Sequence, residues 1–186
     1  MNALEILLKS SKFPSSEELK ARTIHDSAFS RKTRHVKTEA DIFQSSLFEL
    51  KDGTWSFNSI ENDFPCINAL CEEIELHTGL RVQCNAYFTP SAAQGLPIHY
   101  DLHDIWIVQT EGSKLWKVWK SFRKEVSLQT LLADEKENLQ AWTAGTPSRN
   151  LRLEKNHTLY LKKGEPHVAT TTTKSSLHFS FGIYNE

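Results

Sequence analysis

The stretch Gly95-Leu96-Pro97-Ile98-His99-Tyr100-Asp101-Leu102-His103-Asp104-Ile105-Trp106-Ile107-Val108 joins a turn to a buried strand. Gly95 and Pro97 punctuate the turn, and residues 105–108 are the β-branched and aromatic side chains that fill a pleated, enclosed surface. Between them stand His99 and Asp101. Residues i and i+2 of a strand point to the same side, so an imidazole and a carboxylate are presented together to one centre. H-x-D alone is a common pair. Its position at a strand start gives it weight.

Outward from this stretch the texture repeats. Residues 80–88, 106–109, 115–119, 151–153, 158–161, 168–172 and 177–184 read as strands, short and bounded by Gly, Pro, Ser or Asn. One helix over 127–138 interrupts them, followed by a looser loop over 144–150. Upstream, residues 47–50 and 54–57 flank Asp52-Gly53 and read as a hairpin. Residues 64–78 form the best helical pattern: Ile67, Leu70, Cys71, Ile74 and Leu76 recur at helical spacing, Pro65 lies near the start and Gly79 stops it. Residues 2–9 and 15–20 read as short helices, the second with a serine N-cap. Residues 22–39 are polar and read as a solvated connector, with a docking arm for a substrate or partner as the alternative. The expected fold is mainly β with flanking helices, a small barrel or sandwich with the helices packed outside. Residues 1–40 form a helical or irregular extension and residues 41–186 the β domain.

Composition narrows the class. The chain has 186 residues, and 22 Lys and Arg against 23 Asp and Glu leave a formal net charge of -1, no footprint for nucleic acid or an anionic membrane. Three cysteines, Cys66, Cys71 and Cys84, give neither a disulfide framework nor a C-x-x-C zinc pair, and fit a reducing compartment. The N-terminal apolar run is short and broken by Glu5, so neither a signal peptide nor a membrane span is expected. The cytoplasm is the expected location.

Two histidines and a carboxylate on one face bind Fe(II) and leave adjacent positions open for a co-substrate and oxygen. A second histidine must therefore come from elsewhere. His167 is the best candidate, because Leu159-Tyr160-Leu161-Lys162-Lys163-Gly164-Glu165-Pro166 supplies a strand and a turn before it. That puts His167 at the head of the next strand, the same kind of place as His99.

The segment Asn85-Ala86-Tyr87-Phe88-Thr89-Pro90, then Gln94-Gly95, then His99-Tyr100-Asp101 resembles the JmjC-type, cupin-like oxygenases, especially the ribosomal oxygenase branch. Gln109-Thr110-Glu111-Gly112-Ser113-Lys114-Leu115-Trp116 resembles that branch's Q-x-E-G-x-K-x-W element. The resemblance runs roughly over residues 55–184 and implies a double-stranded β-helix (a cupin or jelly roll, JmjC-like) over 41–186. It implies Fe(II) held by His99, Asp101 and His167, and 2-oxoglutarate as co-substrate. Lys114 matches the lysine that pairs with the distal carboxylate, and Asn85 and Tyr87 match polar residues of the co-substrate pocket. A dicarboxylate held inside a barrel needs a fixed cation at its far end, because an unpaired buried carboxylate is costly. A solvated surface lysine is the alternative for Lys114.

Ser180 is a further candidate for the co-substrate, and His103 and His178 are candidates for the pocket rim. His103 with Glu111 also offers a generic cupin ligand pair, but it lies four residues from His99 rather than two. His178 has a satisfied core histidine as its alternative, and His25, His35, His77 and His157 read as surface or structural. Trp106, Trp116 and Trp119 read as core and barrel wall, and Trp55 and Trp142 as buried under loops rather than lining a groove. The expected activity is hydroxylation of a protein or peptide side chain, or of a small molecule. The alternatives are a metal-dependent cupin enzyme without 2-oxoglutarate, and a non-catalytic peptide-binding module. Asn156-His157 stands where the branch has Gly-Asp, and Lys162-Lys163 where it has Pro-Arg. The branch continues past the barrel into dimerisation helices and a winged-helix domain. With the sequence ending at Glu186, a dimer and substrate platform of that kind are expected to be absent or differently made.

Overall fold

The structure is a computed structural model that describes residues 3–19, 33–35, 54–93, 96, 98–121, 123, 125–131, 143–172 and 174–185. Helix α1 (Ala3–Ser10) is followed by a helical turn over residues 16–19. Ser15 starts that turn with a capping box: its hydroxyl and N–H reach the Glu18 carboxylate at 2.8 and 2.7 Å. Then come β1 (Thr33–His35), β2 (Trp55–Phe57), a 3₁₀ turn (Ile60–Asn62) and α2 (Pro65–Thr78). The rest is β: β3 (Arg81–Thr89), β4 (Asp104–Glu111), β5 (Ser113–Val118), β6 (Arg149–Glu154), β7 (Thr158–Leu161), β8 (His167–Thr171) and β9 (Ser176–Tyr184).

The strands make two antiparallel sheets, β1-β2-β3-β9-β4-β7 and β6-β5-β8. Period-two alternation decides which face each residue serves. On β9, Leu177, Phe179, Phe181 and Ile183 turn to the helices, and on β3 so do Val82, Cys84 and Ala86. They meet Ile67, Leu70, Cys71 and Ile74 of α2, with Leu8 and Leu19 completing this core. The opposite faces of β3 and β9 look toward the small sheet. There a second core forms from Ile105, Ile107, Trp116, Val118, Leu153, Leu159, Leu161 and Ala169. The result is a double-stranded β-helix with helices outside, as expected from the sequence.

The differences have local causes. β2 has β1 on one edge and β3 on the other, and the first arm of the expected hairpin, residues 47–50, lies outside the described residues. The connector expected over 22–39 contributes β1; its remaining residues are likewise not described. Leu76, counted on the apolar face of α2, is 85% exposed, since the packed stripe ends at Ile74. Gly79 ends α2 in the left-handed region (φ 70°), as a C-terminal glycine does. Of the helix expected at 127–138 the described residues show its first turn, 128–131. The loop at 144–150 ends early because Arg149 and Asn150 pair with Val118 and Lys117. Trp55 is buried, and Trp142 is not described. No described helix is long and apolar enough to cross a membrane.

Candidate metal centre and its pocket

β9 lies between β3 and β4 and runs antiparallel to both, so β3 and β4 are parallel to each other. Parallel neighbours cannot be joined by a tight turn. The connection over residues 90–103 must travel back along the sheet, and it docks on β8 as it goes. Ala92 N–H donates to Thr172 O (2.8 Å) and Thr171 N–H to Ala93 O (2.9 Å). His99 and His167 then form an isolated antiparallel bridge, exchanging backbone bonds of 3.2 and 2.8 Å. Gly164 N–H donates to Asp101 O at 2.9 Å. These backbone bonds bring two residues of the connection against one at the head of β8.

Their side chains converge. The ligand atoms of His99, Asp101 and His167 all lie within 4.8 Å of one another. His167 Nε2 is 3.7 Å from Asp101 Oδ2, and the two imidazoles meet edge to face at 4.4 Å. His167 Nδ1 is 2.9 Å from the Glu165 carbonyl, which can only accept, so Nδ1 carries the proton and the Nε2 lone pair faces Asp101. Burial, then the His99 ring, push His167 down to about 4 against the pull of Asp101, keeping it in the neutral form a metal requires. Two imidazoles and one carboxylate suit a divalent transition metal such as Fe(II).

Beside this triad the two sheets enclose about 660 Å³, counting the open mouth. Asn85 and Tyr87 of β3, Ser180 and His178 of β9, and Lys114 and Trp116 of β5 line it. Lys114 is 1% exposed, whereas Lys117 falls on the outer face and is exposed. Its Nζ donates to His178 Nδ1 at 2.9 Å, and no carboxylate among the described residues pairs with it. Desolvation pushes the ammonium down to about 7. Burial, then the neighbouring cation, push His178 well below the usual imidazole range, so it stays neutral and accepts. Tyr87 stacks on His178 at 5.0 Å and Trp116 meets it edge-on at 5.4 Å. Burial also raises the Tyr87 phenol. Asn85 Oδ1 accepts from Ser59 N–H at 2.9 Å and faces Ser180 across the β3–β9 ladder.

His178 and His103, the two rim candidates, both line the pocket, His178 buried and His103 half-buried. His103 is outside the triad. It stacks on Tyr184 at 4.3 Å above Gly182, where a Cβ would fall 2.6 Å from its Nε2. Glu111, its conceivable cupin partner, binds Ser16 instead, through the N–H and the hydroxyl, both at 2.7 Å. Sequence reading missed Gln83 and Tyr184, which also line the pocket and join through a 3.0 Å bond from the Tyr184 hydroxyl to Gln83 Oε1. Both are in phase with residues it did find, Gln83 with Asn85 and Tyr184 with Ser180. Carrying the two-residue period to the ends of β3 and β9 would have included them.

A family model described as the JmjC domain matches residues 60–186. The chain is 30% identical over 139 residues to ribosomal oxygenase 2 of Mus musculus, covering 74% of this chain and 28% of that protein. It is 33% identical over 116 residues to the bifunctional lysine-specific demethylase and histidyl-hydroxylase NO66 of Dictyostelium discoideum, covering 62% of this chain and 22% of that protein. It thus spans about a quarter of the length of these relatives. Among solved structures, the Escherichia coli ribosomal oxygenase YcfD superposes with a TM-score of 0.64 at 16% identity, covering 93% of this chain and 44% of that one. Another YcfD structure, in complex with cobalt and 2-oxoglutarate, gives a TM-score of 0.58 over 77% of this chain and 35% of that one, again at 16% identity. The match over residues 60–186 takes in α2, all of the barrel from β3 to β9 and the converging His99, Asp101 and His167, and by it this chain belongs to the JmjC domain family.

Proposed function

We propose that this chain is an Fe(II)- and 2-oxoglutarate-dependent oxygenase that hydroxylates a protein or peptide side chain. The observation that carries it is Lys114: a buried ammonium with no carboxylate partner among the described residues, in the same cavity as two histidines and an aspartate poised for one cation. Burying a charge without its counter-ion is costly, and a bound anion removes that cost. His99, Asp101 and His167 hold the metal, and Lys114 receives the distal carboxylate of 2-oxoglutarate through charge-assisted hydrogen bonds. Neutral His178 orients the Lys114 ammonium by accepting one of its protons. Asn85, Tyr87 and Ser180 offer polar contacts along the cavity wall. When bound, iron and 2-oxoglutarate supply the oxidation: a substrate C–H, oxygen and 2-oxoglutarate become C–OH, succinate and carbon dioxide. The two sheets and their apolar layer of Ile105, Ile107 and Ala169 limit water around the reacting atoms.

A protein substrate is supported by the names of the matched relatives, ribosomal oxygenases and a histidyl-hydroxylase. Anaerobic protein loaded with Fe(II) is expected to bind 2-oxoglutarate, and Lys114→Met to weaken that binding about a hundredfold or more. In air, succinate release should accompany the gain of one oxygen atom by a peptide target. Absence of 2-oxoglutarate binding by the wild-type protein would remove the proposal. Loss of a methyl group from the target, instead of oxygen gain, would make the outcome a demethylation.

A further inference from the structure

Trp116 sits on β5 between the two ends of the proposed berth. Across the β5–β8 ladder Lys114 faces Thr171, Trp116 faces Ala169 and Val118 faces His167. Along the pocket wall the indole is thus the rung between the buried ammonium and the metal-ligand histidine, its ring 5.4 Å from His178 and 5.9 Å from His167. It is 3% exposed, and its Nε1–H has no acceptor among the described residues. Its neighbours do have partners. Lys114 donates to His178, His167 Nδ1 to Glu165 O, and Asn85 Oδ1 accepts from Ser59. Trp119, three residues on, also satisfies its indole, at Gly145 O (2.9 Å).

An indole nitrogen can only donate, and a buried donor left without an acceptor is costly. Phenylalanine would fill the same wall without that cost. Any dicarboxylate that reaches from Lys114 to the triad passes along the rung that Trp116 occupies. We infer that the Trp116 indole N–H is kept open to donate a hydrogen bond to a carboxylate oxygen of the bound dicarboxylate, a second contact from β5 beside Lys114. This rests on the 2-oxoglutarate reading proposed above, which does not itself require Trp116.

The test uses the full chain loaded with redox-inert Zn(II) and 2-oxoglutarate as the probe. The Trp116 indole N–H resonance is assigned through bonds and followed during titration, so wild-type protein alone decides the contact. It is expected to move downfield and exchange more slowly with solvent on saturation. Trp116→Phe should bind 2-oxoglutarate about tenfold more weakly, the scale of a hydrogen bond to a charged group. Wild-type binding with an unmoved Trp116 resonance, or wild-type affinity in Trp116→Phe, overturns the inference and leaves the Lys114 proposal standing. No wild-type binding at all overturns both.

Discussion

Lys114 shows at the scale of one residue how burial becomes a pH dependence. Its ordinary value is 10.5, and desolvation in the folded chain takes it to about 7. Between those values the unfolded chain holds a proton that the folded chain lacks, so stability rises with pH across this window. The destabilisation is complete below about 7 and fades as pH climbs toward 10.5. Lys114→Met should abolish this rise and be more stable than wild type in acid, which urea titrations on both sides of neutrality would measure. Ligand binding runs the other way. An anion needs the protonated ammonium, so 2-oxoglutarate affinity should fall by up to about tenfold per pH unit above about 7, and a pH-independent affinity in wild type would refute the assignment. The sequence exposed the lysine through its pattern but not its environment. Its partner His178 is 64 residues away, and that contact exists only after β5 and β9 face each other. For the same reason the sequence read Trp116 as barrel wall, without showing that its donor is unpaired.

Among the elements, the turn between β7 and β8 aims His167, a proposed metal ligand. Its Glu165 carboxylate accepts from Arg149 Nη2 at 2.6 Å and from Lys162 N–H at 2.9 Å, while its backbone oxygen accepts from His167 Nδ1. Arg149 also donates to Tyr160 O, and Asp104 takes the Tyr160 hydroxyl and the Lys163 N–H. The turn is therefore tied to β4, β6 and β7 at once. The Arg149–Glu165 pair is partly exposed, with side chains 36% and 17% accessible, so it adds little to global stability. Glu165→Ala should leave Tm within a few degrees while lowering metal affinity roughly 10–100-fold, the usual cost of losing support behind a ligand. Metal titration by calorimetry checks it; unchanged affinity would mean the backbone alone orients His167. Strand positions here were legible because Thr158–Leu161 is bounded by Asn156 and Gly164. The ties were not, since Asp104 and Arg149 belong to strands whose order in the sheets no local pattern specifies. The same holds for β2, whose partner β1 lies about twenty residues upstream.

In the whole molecule, the proposed metal site lies where the two sheets are joined. His99 and Asp101 come from the connection between β3 and β4 of the large sheet, and His167 opens β8 of the small one. Among the described residues, α1, the turn at 16–19 and α2 secure the outer face of the large sheet: Leu8 and Leu19 are fully buried there, and Phe13 meets Phe179 at 4.8 Å. Between the sheets the apolar layer is smaller and is interrupted by the polar cavity. A cation held by all three ligands thus cross-links the two sheets across the smaller apolar layer, and it favours the folded state, because His167 is far from His99 and Asp101 in an unfolded chain. At a hundredfold excess over its dissociation constant such a cation adds about 2.7 kcal/mol, or roughly 5–10 °C in Tm for a chain of this size. Thermal melts with and without Mn(II) or Co(II) should show that rise in wild type. His167→Ala should lose it while still folding, since the His99–His167 bridge uses backbone atoms that alanine keeps. If His167→Ala kept the full metal-dependent increment, the stabilising ion would be bound elsewhere, and the triad would no longer be the junction of the sheets.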